Sequence, residues 1–447
     1  MAVVAEDQDT YRASFERFAA ASAASEPAWL RERRTAAIAR FIERGLPTAR
    51  DEAWRHTPFA PLAKGRFVPA DAAARPSADA LAALPLEGLR GVLVVLVNGR
   101  LSPERSSLHT GAPGVEVESL REVLRSQPAR AQSWLGRVAD GRTGVFADLN
   151  TAFAEDGAVV SVAPGTILKE PIHIAHLSAG DGAPAVSYAR TLVVAGRGSE
   201  CRLVESFTSS AASASLTNAV TELVLEDNAL VDRTKLQQEG PTALHVATLA
   251  VRLGRDARFA DHSLSFGAAL SRNDIDVRFD AEGGDCSLDG LFVVDGRRVA
   301  DTHSRIEHAQ PHCSSRQLYK GVLDGQARGV FNGLVVVRPG AQKTDALQMN
   351  RNLLLSREAL VHSTPQLEIL ADDVKCKHGS TTGQLDANAL FYLRSRGIGE
   401  AEARGLLTWA FASDLVRKLE IEPLRRAVGR QLQASLPGIA GLAEALP

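Results

Sequence analysis

Ser199-Glu200-Cys201-Arg202-Leu203, Asp227-Asn228-Ala229-Leu230-Val231, Arg255-Asp256-Ala257-Arg258-Phe259 and Gly284-Asp285-Cys286-Ser287-Leu288 repeat one pattern: a polar turn, a small residue, then a strand. The small residue recurs at Cys201, Ala229, Ala257, Cys286 and Cys313, at a nearly constant interval. A further turn with Ala327 lies half a period beyond Cys313, so each period holds two half-units. Short strands at a fixed interval of this size predict a β-solenoid, in which each coil buries its face on the next. A β-sandwich is the competing all-β reading, but it does not normally keep its turn interval so constant.

Working outward, the solenoid core is assigned to 158–383, where apolar runs alternate with Gly/Asp/Asn turns and no helical pattern intervenes. Residues 1–85 read as a helical region with a linker. Tyr11, Phe15 and Phe18 follow helical spacing, and a second helix starts near Pro27 and stops at Gly45. Residues 86–157 are a mixed lead-in. It holds a strand over 91–97 that ends at the turn Asn98-Gly99, and helices over 119–126 and 145–153. Residues 384–447 are helical: Asp386 is an N-cap, Gly397 a stop, 400–419 an amphipathic helix, and Pro423 opens a last one. The expected fold class is thus mainly β with α-helical termini. A solenoid has two open ends. The N-terminal helices are expected to cover one, and the C-terminal tail either packs on the other or presents its face to a partner.

Composition narrows the function. The chain has 447 residues, 45% hydrophobic and 23% charged, with a formal net charge of -2. No broad basic field argues for nucleic acid. No apolar run is long enough to span a bilayer, and the N-terminus lacks a secretory pattern, so a cytoplasmic location is expected. Four widely spaced cysteines without a CxxC pair are expected as thiols. There is no G-x-x-x-x-G-K-[ST], so no ATP site is expected on this chain, and no Rossmann, nucleophile-elbow or H-E-x-x-H motif.

The candidate chemistry sits where strands give way to helix, in Lys375-Cys376-Lys377-His378-Gly379. Positions i and i+2 of a strand point the same way, so Cys376 and His378 offer sulfur and nitrogen donors on one face. Two donors do not close a four-coordinate site. The alternative is a buried thiol and a hydrogen-bonded histidine at a coil corner. Cys201, Cys286 and Cys313 share the repeat position of Ala229 and Ala257 and read as packing residues. His303, Glu307, His308, His312 and Cys313 do not face one way on a strand–turn–strand path and read as a hydrogen-bonded corner cluster. Asp372-Asp373 reads as a turn.

The run Asp372-Asp373-Val374-Lys375-Cys376-Lys377-His378-Gly379, with Leu390-Phe391-Tyr392-Leu393-Arg394-Ser395-Arg396-Gly397-Ile398, resembles the SufB/SufD family of iron–sulfur cluster assembly proteins. So do Val330 to Gly333, Ala341 to Ala346, Gln348, Asn350, Asn352 and Leu353 to Ser356, and the N-terminal Glu52 to Pro58. Within the family the likeness is to the SufD branch: the N-terminus is helical, and Gly379 stands where SufB-like sequences tend to carry Glu. His56 departs from the Tyr more usual there, with an effect on packing alone expected. The resemblance implies a right-handed parallel β-helix and a complex with a SufB-like chain and two copies of the SufC ATPase. The solenoid ends of SufB and SufD would pair. SufC would dock on the C-terminal helices, where the candidate contact residues are Phe391, Tyr392, Arg394, Arg396, Leu407, Phe411 and Leu415. It also implies that His378 is a ligand of a transient iron–sulfur cluster shared with SufB, with Cys376 beside it at that interface. A flavin is not assigned. The leading expectation is a non-enzymatic scaffold subunit. The alternatives are a purely structural partner of SufB and a β-helix carbohydrate-active enzyme. An exposed solenoid end also allows a homodimer when partners are missing.

Overall fold

The structure, a computed structural model, describes residues 2–436 apart from 24–25, 59–60, 63–66, 72–73, 86, 110, 181–183 and 210–213. Successive core strands alternate between two ten-stranded sheets. One sheet runs from Val115–Ser119 through Gly157–Val162 and Ala185–Ala195 to Leu360–Ile369; the other runs from the hairpin of Val92–Val97 and Arg100–Leu101 through Ile172–Ser178 to Lys375–Gly383. From Gly157 onward each core strand pairs in parallel with the strand two further along the chain. That is a parallel β-solenoid, one strand per sheet in each coil.

Turn chemistry sets the corners. Gly198, Asn228, Asp256, Gly283, His312 and Lys343 all have φ between 54° and 78°, and each stands just ahead of a strand of the second sheet. Gly, Asn and Asp enter that left-handed region at least cost, and this is why the corners stand out in the sequence. Inside, Val231, Phe259, Leu288, Val251, Val277, Phe279, Ile306 and Phe331 stack coil on coil as an apolar column.

The register corrects the repeat alignment. Coil spacing is not constant: Arg258 pairs with Asp285 and Ser314 with Asp345, and the second step is the longer. Cys201 therefore pairs with Val231, which pairs with Phe259, then Cys286, Ser315, Ala346 and Cys376. Ala229, Ala257 and Cys313 occupy the corner just before that column. Cys376 thus shares an inward-facing column with Cys201 and Cys286. The packing role holds for Cys201, Cys286 and Cys313, all buried. Burial pushes the Cys201 thiol up to about 12 and raises the other two.

Helices cover the flat faces rather than the ends, against the expectation for the N-terminal region. Helices Ala2–Ser22, Ala28–Arg44 and Val145–Phe153 lie on one sheet, where Phe15, Phe41, Trp54 and Phe146 meet Leu216, Leu244, Val246 and Leu270. The C-terminal helices Glu400–Val416 and Glu422–Ser435 lie on the other, with Trp409, Leu415, Leu419, Leu424 and Val428 against Val204, Leu236, Leu264, Leu291 and Val322. The linker stretch also carries a short helix, Ala78–Ala82, packed near Ala175 and Leu177. Antiparallel and hairpin strands of the lead-in finish the first end of the stack. No described element covers the last coil.

Candidate metal-ligating rim

The last coil consists of Leu360–Ile369 and Lys375–Gly383, each the terminal strand of its sheet. Every residue of both strands is half-buried or exposed, whereas earlier strands are mostly buried. Leu360, Ile369 and Leu370 are exposed large apolar side chains on this rim. A solenoid edge leaves a row of unpaired N–H and C=O groups. Apolar surface beside that row is the composition of a surface meant to be covered.

Cys376 and His378 both lie on this rim. In register, Cys376 follows Ala346 and His378 follows Gln348, both buried in the coil below. The strand keeps the same alternation to its end, so the two donors occupy inward-facing columns at the level where the interior opens. Cys376 is half-buried against Ala346, Val335 and Val337, while His378 is exposed. Burial raises the Cys376 thiol, a backbone hydrogen bond at Ala346 partly opposing it, so the sulfur is protonated near neutrality. A metal would have to displace that proton. The two residues are not walled into apolar packing. Among the described residues no three His, Cys, Asp or Glu side chains come together as a metal-binding group. Two donors alone do not close a four-coordinate site, so a metal held here would need further ligands from beyond the described residues.

The other acidic and histidine groups fall as their alternation dictates. His303 faces Asp301 at 3.1 Å, Glu307 pairs with Arg338 at 2.7 Å, and His308 turns inward to Ser315 at 2.9 Å. Cys313 closes a corner, its thiol within 3.4 Å of the Pro311 carbonyl. Asp372-Asp373 forms a bend, with Asp373 paired to Lys343.

Beyond the rim, Asp386 caps helix Ala387–Ser395, its Oδ1 accepting from the Asn388 amide at 2.7 Å, and Gly397 ends it with φ 86°. This helix buries no residue. Phe391 and Tyr392 are 74% and 57% exposed, and Arg394 and Arg396 are exposed beside them. Leu407 and Phe411 are half-buried, and Lys320 Nζ lies 4.7 Å from the Phe411 ring. Leu415 differs from expectation: at 2% exposed it faces the chain's own sheet, so it anchors the helix and meets no partner.

Residue spacing did not mark the floor of the rim. Gln348, Asn350 and Asn352 are buried at alternate positions of one strand and point inward. Amides at i, i+2 and i+4 on the inward face of one strand are the signal that was available.

Two family models match this chain. One, described as the SUF system FeS cluster assembly SufBD core domain, matches residues 176–411; the other, the SufBD protein N-terminal region, matches residues 5–174. The chain belongs to the SufBD family of iron–sulfur cluster assembly proteins. It is 32% identical over 404 residues to the iron–sulfur cluster assembly protein SufD of Escherichia coli, covering 90% of this chain and 92% of that one. It is 35% identical over 390 residues to a SufBD family protein of Synechocystis, 85% of each, and 32% identical over 305 residues to a chloroplastic protein of Arabidopsis thaliana, 66% of this chain and 63% of that one. No helix among the described residues is long and apolar enough to cross a membrane.

Proposed function

We propose that this chain is the non-catalytic SufD-type subunit of a SufBCD-type scaffold. Its open solenoid end pairs with the corresponding end of a SufB-like chain. Its exposed helix 387–395 and the adjoining surface of 400–416 receive a SufC-like ATPase, through Phe391, Tyr392, Arg394, Arg396, Leu407 and Phe411. His378, with Cys376 beside it, ligates a nascent iron–sulfur cluster at the joint. The cluster is cargo. It needs ligation that a motion can undo, and a site split between two chains opens when ATP turnover moves them apart. The observation that carries this reading is the incomplete donor pair on an uncovered terminal coil.

The test is reconstitution with the SufB-like and SufC-like partners, comparing the wild-type chain with His378→Ala. Cluster yield is expected to fall at least severalfold while the complex still assembles. Unchanged yield removes the ligand assignment and leaves a purely structural partner.

A further inference from the structure

The column beneath His378 is a directional chain of amides. Gln317 Nε2 donates to Ser304 Oγ at 2.6 Å, and Gln348 Nε2 donates to Gln317 Oε1 at 2.8 Å. Gly333, across the interior, makes room for this arrangement, since a Cβ there would lie 2.3 Å from Gln348 Nε2. The donor end of each amide is therefore committed downward, away from the rim. What is left over at the top is the carbonyl of Gln348: Oε1 is buried and has no hydrogen-bond partner. A buried amide oxygen without a donor is uncommon and calls for an explanation.

The next residue up that column is His378, paired with Gln348 in the strand register. Neighbouring strands lie about 4.8 Å apart, and both residues occupy inward-facing positions, so a turn of the imidazole brings a ring nitrogen within reach of Oε1. In this structure that bond is not made; the ring is exposed and no described residue accepts from it or donates to it. The orphan acceptor and the unrestrained donor are therefore consecutive members of one ladder.

We propose that Gln348 is the positioning residue for His378. Its Oε1 accepts a hydrogen bond from one imidazole N–H, which fixes the tautomer and directs the other nitrogen, with its lone pair, out of the rim. Histidine ligands generally have their second nitrogen held in this way. The inference rests on the proposed ligand role of His378, and deepens it. Leu288, Asp261 and Arg233 hold the equivalent position in deeper coils, so the amide pair is a feature of the coils next to the open end.

The experiment is ring ¹⁵N–¹H correlation spectroscopy on the full chain labelled with ¹⁵N-histidine, at a pH where the imidazoles are neutral. The His378 signal is assigned by its loss in His378→Ala. A hydrogen bond worth a factor of ten puts about nine-tenths of His378 in one tautomer. Gln348→Met removes the acceptor and should give a mixed population. Gln348→Asn keeps an amide but withdraws the oxygen by one methylene, and should do the same if the Met variant fails to fold. Gln348→Glu keeps an acceptor and should retain the single tautomer. Equal tautomer populations in the wild type and in whichever of the Met and Asn variants folds would overturn the inference. That result leaves the ligand role of His378 standing, because cluster yield with His378→Ala tests it separately.

Discussion

Replacing Arg233 by Met should be among the most damaging single changes inside the solenoid. The Arg233 side chain is 4% exposed and lies between Glu205 and Asp261, both 0% exposed, with Nε 2.6 Å from Glu205 and Nη1 2.5 Å from Asp261. Thr221 donates to Glu205 at 3.0 Å, and His176 lies 3.5 Å away. Burial alone would push the Glu205 carboxyl up; Arg233, helped by His176, holds it well below the ordinary carboxylate range. Met fills similar space but leaves two carboxylates in the interior without their cation. Removing one partner of a buried ion pair costs about 3–5 kcal/mol, or two to three and a half powers of ten in the folding constant at about 1.4 kcal/mol each. The pH dependence gives the sign. In the wild type Glu205 has a lowered folded pKa, so its contribution is complete above the unfolded value of about 4.3 and fades as pH falls through the folded one. In Arg233→Met burial dominates and the folded pKa lies above the unfolded one. The deficit should therefore be largest at pH 8 and shrink toward pH 5. Urea unfolding followed by far-ultraviolet circular dichroism at both pH values measures it. A loss under about 1 kcal/mol at pH 8, or a deficit that grows on acidification, would refute the reasoning. Adding Glu205→Gln and Asp261→Asn to Arg233→Met should recover part of the loss, since the penalty is the uncompensated charge.

Two further outcomes follow from burial. Iodoacetamide should modify Cys376 well before Cys201, Cys286 or Cys313 in the native chain, because it alone of the four is not fully buried; peptide mass spectrometry over a time course reads the order, and early labelling of Cys286 would contradict the assigned column. Trp409→Ala should cost about 3–5 kcal/mol and loosen helices 400–416 and 422–435 from their sheet, since Trp409 is 5% exposed among Val204, Leu236 and Leu291. Limited proteolysis should then cut within 396–436 ahead of the core.

How much of this was readable in advance depended on where physics leaves local marks. Corners did: Asn228 and Asp256 take left-handed backbone, and residues tolerating it are few, so the period showed through. The helix ends at Asp386 and Gly397 did for the same reason. The exact column assignment did not, because coils of unequal length were averaged onto the nearest small residue. The docking of helices on faces also left no simple pattern. Strands such as Leu244–Leu253, buried almost throughout, carry apolar residues on both faces, and such a strand does not tell an interior from a helix-covered exterior. The rim pair was visible as C-x-H spacing and an open solenoid end was expected beside it, but spacing did not decide between an uncovered rim and a buried coil corner; that follows from the absence of a next coil among the described residues. The Glu205–Arg233–Asp261 trio was hidden because each member lies a whole coil from the next in sequence and they meet only through the register.

The uncovered coil also bears on supply. Pro365 lies within one terminal strand, and Lys375 and Lys377 stand on the other, devices that discourage casual strand addition. They guard the edge incompletely, since Leu360 and Ile369 remain open to water. Left uncovered, this end carries a sheet edge into a crowded solution, where any extended segment can pair with it. If the proposed SufB-like partner covers this end, matched production of the two chains becomes a solubility requirement that follows from the shape of this one.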